Sequence, residues 1–284
     1  MSNEILVFVS GAPGTAAADF SWQPEQWPEL RRFADEVRTE LESGCGLVVL
    51  EGIEQLGLDE EQLRCFYTAY GCALGQPMLQ YGRLYPVVDR GGSHEQQAIP
   101  VSMTNAETSF HTDSSSVDVV PDFVGLLCEQ PSHNGGESLV SNAVRAYHQL
   151  RDRAPELAAL LERPLIRDVV TPGREKNLAN LLRNRFPVFQ LCDRPGGLLF
   201  RYMRYWIETG QRRAEQPLAP RQLEALDELD RLLESEDNVM RFQLERSEIL
   251  WVNNRRLAHN RTAYRDTPGN VRQLQRMWIE STPR

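Results

Sequence analysis

From Asp122 to Glu280 the chain is cut by turn-forming residues into short apolar pieces, a pattern that few folds accommodate. "DFVGLLCEQ", "PVFQLC", "GLLFRYMRYWI", "RFQLE", "EILWVNN", "RLAHNR" and "RQLQRMWIE" are rich in β-branched and aromatic residues and are separated by Pro, Gly, Asn and Asp. Many short strands of this kind predict a jelly roll or barrel. Amphipathic helices flank them. In "WPELRRFADEVRTELESG" the residues Leu30, Phe33, Val37 and Leu41 recur at helical spacing and Gly44 supplies a stop. "GLVVLEGI" (46–53) reads as a buried strand, and the helix that follows opens on Asp59 as N-cap, with Gln62 completing a capping box. "NAVRAYHQL", "APELAALLE" and "APRQLEALDELDRLLES" (219–235) carry Leu/Ala stripes and read as helices. The expected fold class is mainly β with flanking helices around a double-stranded β-helix core.

At 284 residues the chain is long for one ordinary domain, but it stays within the range of an elaborated barrel. It has no internal repeat or low-complexity tract, and "RGGSHEQQ", around Gly91 and Gly92, is the nearest approach to a flexible loop. One domain over 1–284 with helical insertions is therefore expected. With 31 Lys+Arg against 40 Asp+Glu, the net charge of −9 would repel a phosphate backbone, so nucleic acid is a poor partner. No apolar run approaches the ~20 residues of a membrane span, and "MSNEILVFVSGAPG" lacks the basic start of a secretory signal. A cytoplasmic location with no membrane partner is expected. The five cysteines are scattered, without Cys-x-x-Cys, and suggest buried thiols rather than a disulfide framework or a thiolate zinc site.

The candidate chemistry begins at "TSFHTDSSS". His111 and Asp113 are two apart, and on a strand both would project from one face toward a common ion. Of the other histidines, His94 lies in the glycine-bearing loop, His133 in a turn and His148 in a helix pattern. His259 lies in "EILWVNNRRLAHNR", a strand–turn–strand pattern that would return it to the same sheet system. His-x-Asp followed by a distant His is the order of the 2-His-1-carboxylate facial triad for non-haem Fe(II). In "RQLQRMWIE", strand alternation places Arg272, Leu274, Arg276 and Trp278 on one inward face. Inward guanidiniums need anions, either an internal carboxylate or a dicarboxylate ligand held by a bidentate fork.

With "FHTD", "GGES", "RYMRYWI", "WVNNRRLAHNR" and "RQLQRMWI" in this order, the sequence from about residue 30 onward resembles the taurine dioxygenase-like (TauD/TfdA) family of Fe(II)/2-oxoglutarate-dependent oxygenases and the related clavaminate synthase-like enzymes. The resemblance implies that His111, Asp113 and His259 bind Fe(II). It further implies that Arg272 and Ser138 hold the distal carboxylate of 2-oxoglutarate, although threonine is commoner than serine at the second position. Arg276 falls where some members meet substrate or co-substrate, and Glu248 stands where the family often has a Gly-Asp turn. O2 and 2-oxoglutarate would be consumed and succinate and CO2 released.

A complete triad implies hydroxylation of an unactivated C–H bond or another halide-free outcome: desaturation, epoxidation or cyclisation. The expected substrate is a small polar metabolite such as an amino acid or natural-product intermediate. Arg201, Arg204, Glu107 and Tyr81 are further candidates for its pocket. Two other readings use the same residues, a zinc metallohydrolase and a non-catalytic protein that binds 2-oxoglutarate or a metabolite. The oligomeric state is not written in the sequence.

Overall fold

The computed structural model describes residues 24–91, 101–168, 175, 177–193 and 197–281. The N-terminal "MSNEILVFVSGAPG", most of the "RGGSHEQQ" loop and His94 lie outside them. The chain opens with helix α1 (Pro28–Ser43), which buries Leu30, Ala34, Val37 and Leu41. Strand β1 (Leu47–Leu50) is shorter than the expected 46–53 because Gly52 turns the backbone to φ 78°. Helix α2 (Glu60–Leu74) begins in the expected capping box: Asp59 Oδ1 accepts from the Gln62 N–H at 2.9 Å, and the Asp59 N–H donates to Gln62 Oε1 at 3.0 Å.

Next come β2 (Gln76–Pro77), β3 (Tyr85–Val87), β4 (Phe123–Gln130) and β5 (Ser138–Asn142). The helical expectations at 142–150 and 154–162 are met by α3 (Ala143–Arg153) and α4 (Pro155–Leu161). An insertion follows, made of β6 (Leu165–Ile166), α5 (Leu178–Arg183), β7 (Arg185–Phe186), β8 (Phe189–Leu191), β9 (Leu198–Phe200) and α6 (Arg204–Arg213). Helix α7 (Pro220–Leu233) and strands β10 (Val239–Phe242), β11 (Ile249–Asn253), β12 (Leu257–Arg261) and β13 (Gln273–Glu280) complete the chain.

The large sheet runs β1-β11-β4-β13-β2, with β3 also on β13, and the small sheet runs β10-β5-β12; every pairing is antiparallel. The register fixes what each face carries. Leu126 of β4 sits opposite Arg276 and Val124 opposite Trp278, facing the small sheet, whereas Leu127, Met277 and Ile279 face α1 and α2. Trp251 fills the helix side of the large sheet. Gly125 leaves it room, because a Cβ there would strike both the Trp251 ring and the Tyr67 hydroxyl. On the outer face of the small sheet, Leu139 and Ala258 pack against Leu150 of α3 and Leu229 and Leu233 of α7. Between the sheets Val140, Leu250, Val252, Leu257 and Leu274 form the sandwich interior. The jelly roll expected from the strand pattern is therefore present, with helices covering both outer faces.

Candidate metal centre

His259 lies on β12 directly across from Val140 of β5, and a single antiparallel bridge adds His111 to the other side of β12. The His111 N–H donates to the His259 carbonyl at 3.0 Å, and the His259 N–H returns the bond at 2.9 Å. This pair takes the place of the strand expected around "FHTD". Backbone at positive φ, Ser109 at 57° and Ser114 at 79°, limits the ligand-bearing segment on either side. Such conformations are costly for residues with a side chain and hold only where their surroundings enforce them.

Asn254 supplies one such enforcement. Its Oδ1 accepts from the Asp113 N–H at 2.7 Å, while its Nδ2 donates to the carbonyls of Asp113 (3.2 Å) and Pro121 (3.1 Å). Farther along the segment, Arg201 and Asn184 hold residues 115–119. Arg201 donates to the carbonyls of Ser116, Val117 and Val119, and Asn184 Oδ1 accepts from the Val117 N–H.

One nitrogen from each imidazole and one Asp113 oxygen all lie within 4.8 Å of one another. Asp113 Oδ1 is 3.8 Å from His111 Nε2 and 3.6 Å from His259 Nε2, too long for hydrogen bonds. Ligands about 2.1 Å from one ion lie about 3.0 Å apart when adjacent on one face, so each of these two spacings would close by less than about 1 Å around a shared metal. The protonation states suit one as well. Burial in the recess and the neighbouring His259 hold the His111 imidazole neutral, with its pKa down at about 3. Burial alone would raise the Asp113 carboxyl, but the Arg276 guanidinium and the two imidazoles overcome it and keep Asp113 ionised far below the usual carboxylate range. A neutral imidazole and an ionised carboxylate are the forms that bind metal.

Two chambers meet here. The inner one, about 670 Å³, runs between the sheets and is lined by His111, His259, Ser138, Arg261 and Arg272 with Val124, Leu126, Leu250, Val252 and Leu274. Arg272 is 4% exposed, and its Nη1 has no hydrogen-bond partner among the described residues. Burial pushes its pKa down, as for any cation removed from water. The cost of leaving such a group unsatisfied marks this end of the chamber as an anion site. The outer chamber, about 470 Å³, shares His111, Ser102 and Arg276 with the inner one and adds Tyr81, Asp113, Ser114, Ser115, Met203, Trp206 and Trp278.

The other substrate candidates divide. Tyr81 and Arg276 line the outer chamber. Arg276, however, is paired with Asp113 at 3.1 Å and stands over the rings of Tyr85, Tyr81 and Trp278 at 4.8, 5.5 and 5.4 Å, so its charge is answered inside the protein. Arg201 is a correction. It is 6% exposed, spends its guanidinium on backbone carbonyls and lies 3.7 Å over the Phe186 ring. Arg204 is another, being committed to Glu208 (2.7 Å), Asp227 (2.7 Å) and Asp230 (2.8 Å). Glu107 is exposed, outside both chambers, and accepts from Asn260 Nδ2 at 3.0 Å. The unusual Glu248 closes its own turn, its Oε2 accepting from the Glu245 N–H at 2.8 Å. Asn254 and the indole of Trp278 were not assigned from sequence. The partner of Asn254 is 141 residues away, a separation that no local pattern records.

A jelly roll that presents two imidazoles and a carboxylate where a cavity with a buried guanidinium begins has the architecture of a non-haem iron oxygenase that uses a 2-oxo acid. The chain belongs to the taurine catabolism dioxygenase TauD, TfdA family, whose model matches residues 11–278, and it is an Fe(II)/2-oxoglutarate-dependent oxygenase. It is similar to FR-33289 synthase of Streptomyces rubellomurinus (strain ATCC 31215), 28% identical over 254 residues that cover 84% of this chain and 70% of that protein. It is also similar to a uridine-5'-phosphate dioxygenase of a Streptomyces species, 30% identical over 221 residues, covering 73% and 74%. Among solved structures it shares its fold with asparagine oxygenase in complex with Fe(II), 2S,3S-3-hydroxyasparagine and succinate, with a TM-score of 0.70 and 22% identity over 98% of this chain and 89% of the other. Among the described residues, no helix is long and apolar enough to cross a membrane.

Proposed function

We propose that this protein hydroxylates an unactivated C–H bond of a small polar metabolite, an amino acid or natural-product intermediate: substrate, 2-oxoglutarate and O2 give hydroxylated product, succinate and CO2. His111, Asp113 and His259 would hold Fe(II), and Arg272 with Ser138 would hold the distal carboxylate of 2-oxoglutarate. The observation that carries the reading is Arg272, a buried guanidinium with an unsatisfied nitrogen in the chamber that both imidazoles line. The iron and its co-substrate supply the oxidising chemistry. The protein supplies placement. Ser138 lies opposite Arg261 across the small sheet and lines the same chamber as Arg272. The apolar walls formed by Val124, Leu126, Leu250 and Leu274 keep water from the inner chamber. Tyr81, Met203 and Trp206 would position the substrate in the outer chamber.

Relatives support the substrate class: the names of two specify a synthase and a nucleotide dioxygenase, and a fold neighbour was solved with a hydroxylated amino acid. The zinc-hydrolase reading provides Arg272 with no counter-ion. We also propose that 1–284 acts as one catalytic domain, since ligands from both halves of the chain converge on one site. Its free thiols and its use of a central metabolite suit the reducing cytoplasm.

The test is anaerobic titration of the apoprotein with Fe(II) and 2-oxoglutarate, followed by aerobic incubation with amino acids and natural-product intermediates. A weak visible charge-transfer band, substrate-dependent succinate and a product gaining one oxygen are expected. A product that has lost two hydrogens would place the reaction among desaturations or cyclisations. The absence of both the band and succinate refutes the assignment.

A further inference from the structure

Asp113 is held asymmetrically. Oδ1 faces the two imidazoles and accepts from Arg276 Nη1 at 3.2 Å, whereas Oδ2 accepts from the Trp278 indole N–H at 2.5 Å and lies 3.1 Å from the same guanidinium nitrogen. An indole N–H is only a donor, and Trp278 is 5% exposed, so the bond to Asp113 is what satisfies it. The ring is fixed from the other side by Tyr81, which stands edge-on to it at 4.9 Å and edge-on to Tyr85 at 5.0 Å. Trp278 and Arg276 are two apart on β13 and project from the same inward face, so one strand delivers both donors to one carboxylate.

We infer that Trp278 is a positioning residue for the carboxylate ligand: by occupying Oδ2 it turns Oδ1 toward the imidazoles and the metal, so that Asp113 binds through one oxygen and the opposite coordination positions stay open. This rests on the reading that His111, Asp113 and His259 hold a metal. With the second oxygen free, the carboxylate would swing and bind through both, taking a position that the reaction needs. Hydrogen-bonding partners of metal ligands typically contribute 10–100-fold in metal affinity. Arg276 keeps the carboxylate ionised but lies within reach of both oxygens, 3.2 Å from Oδ1 and 3.1 Å from Oδ2, so it does not select between them. The rigid indole sets the angle.

The test compares wild type with Trp278→Phe, which keeps the ring and removes the donor. Cobalt(II) replaces iron, its affinity is measured by titration, and its visible spectrum reports coordination number. Weakening by about tenfold or more, with the weaker absorption of a higher coordination number, is expected. The metal-free melting temperature separates this from general unfolding. Cobalt bound with wild-type affinity and an unchanged spectrum overturns the inference.

Should the variant fail to fold, the wild type is labelled with 15N at its five tryptophans. One indole proton should then lie far downfield, exchange slowly and move when zinc is added; five ordinary indole resonances overturn the proposal. If wild type binds no metal while that downfield proton is present, the metal reading has failed and the Trp278–Asp113 contact has not.

Discussion

Replacing Arg272 with methionine separates what the residue does for the fold from what it does for the reaction. The guanidinium is 4% exposed, and among the described residues Nη1 has no hydrogen-bond partner and no salt bridge answers the charge. Leaving one buried donor unsatisfied costs about 1–3 kcal/mol. Methionine fills most of the stem's volume without that cost, so the metal-free variant should melt at or above the wild-type temperature. Binding of 2-oxoglutarate should move the other way. Truncating one member of a buried charge pair costs about 2–5 kcal/mol, which at 1.4 kcal/mol per decade is roughly 30- to 4,000-fold in affinity.

The assay is anaerobic titration of the Fe(II) form with 2-oxoglutarate, followed in the visible band, with 2-oxobutyrate as a control that keeps the chelating end and lacks the distal carboxylate. Only the 2-oxoglutarate affinity should fall. Retention of that affinity within threefold, or an equal loss for both ligands, would refute the reasoning.

Asn254→Ala should destabilise by about 2–3 kcal/mol in urea, because it strands the buried Asp113 N–H and two carbonyls; it should also weaken metal binding, and loss of neither would show that Asp113 is held by other means. Gly125→Ala should lower stability by about 1–3 kcal/mol through overpacking against Trp251 and Tyr67, whereas an unchanged urea midpoint would mean that the sheet can shift there. The pH dependence follows from His111, whose pKa falls from 6.5 to about 3 on folding. The unfolded chain takes up a proton in that window and the folded one does not, so the contribution is complete above pH 6.5 and is lost as pH falls toward about 3. In metal-free protein, His111→Gln should flatten stability against pH across this range, and an equally steep curve in the variant would dismiss the idea.

The parts of the molecule that were legible are those whose local pattern and tertiary role agree. Strands β4, β11, β12 and β13 are short, largely buried runs bounded by turn residues, and the Asp59–Gln62 capping box is spelled out in four residues. The segment "RYMRYWI" failed this agreement. Its aromatic and β-branched residues read as strand, but from Arg204 it is helix α6, which buries Trp206, Ile207 and Gly210 on one side and pairs Arg204 with Glu208 one turn on. Packing overrode propensity there. It also explains Arg201 and Arg204: anionic substrate and anionic or carbonyl-rich protein are equivalent partners to a guanidinium until the chain is folded. The inward face of β13 was readable, yet alternation says only where Trp278 points and not that its N–H ends on Asp113.

The reciprocal main-chain bridge between His111 and His259 has a consequence for how such a protein diversifies. The spacing of the two backbone segments that carry these imidazoles is gauged by peptide groups, whose lengths do not vary with sequence. Under the proposed assignment, exchanging Tyr81, Met203 and Trp206 would reshape the outer chamber without moving that backbone pair. The walls of the chamber are free to diverge while the frame that carries the histidines stays fixed.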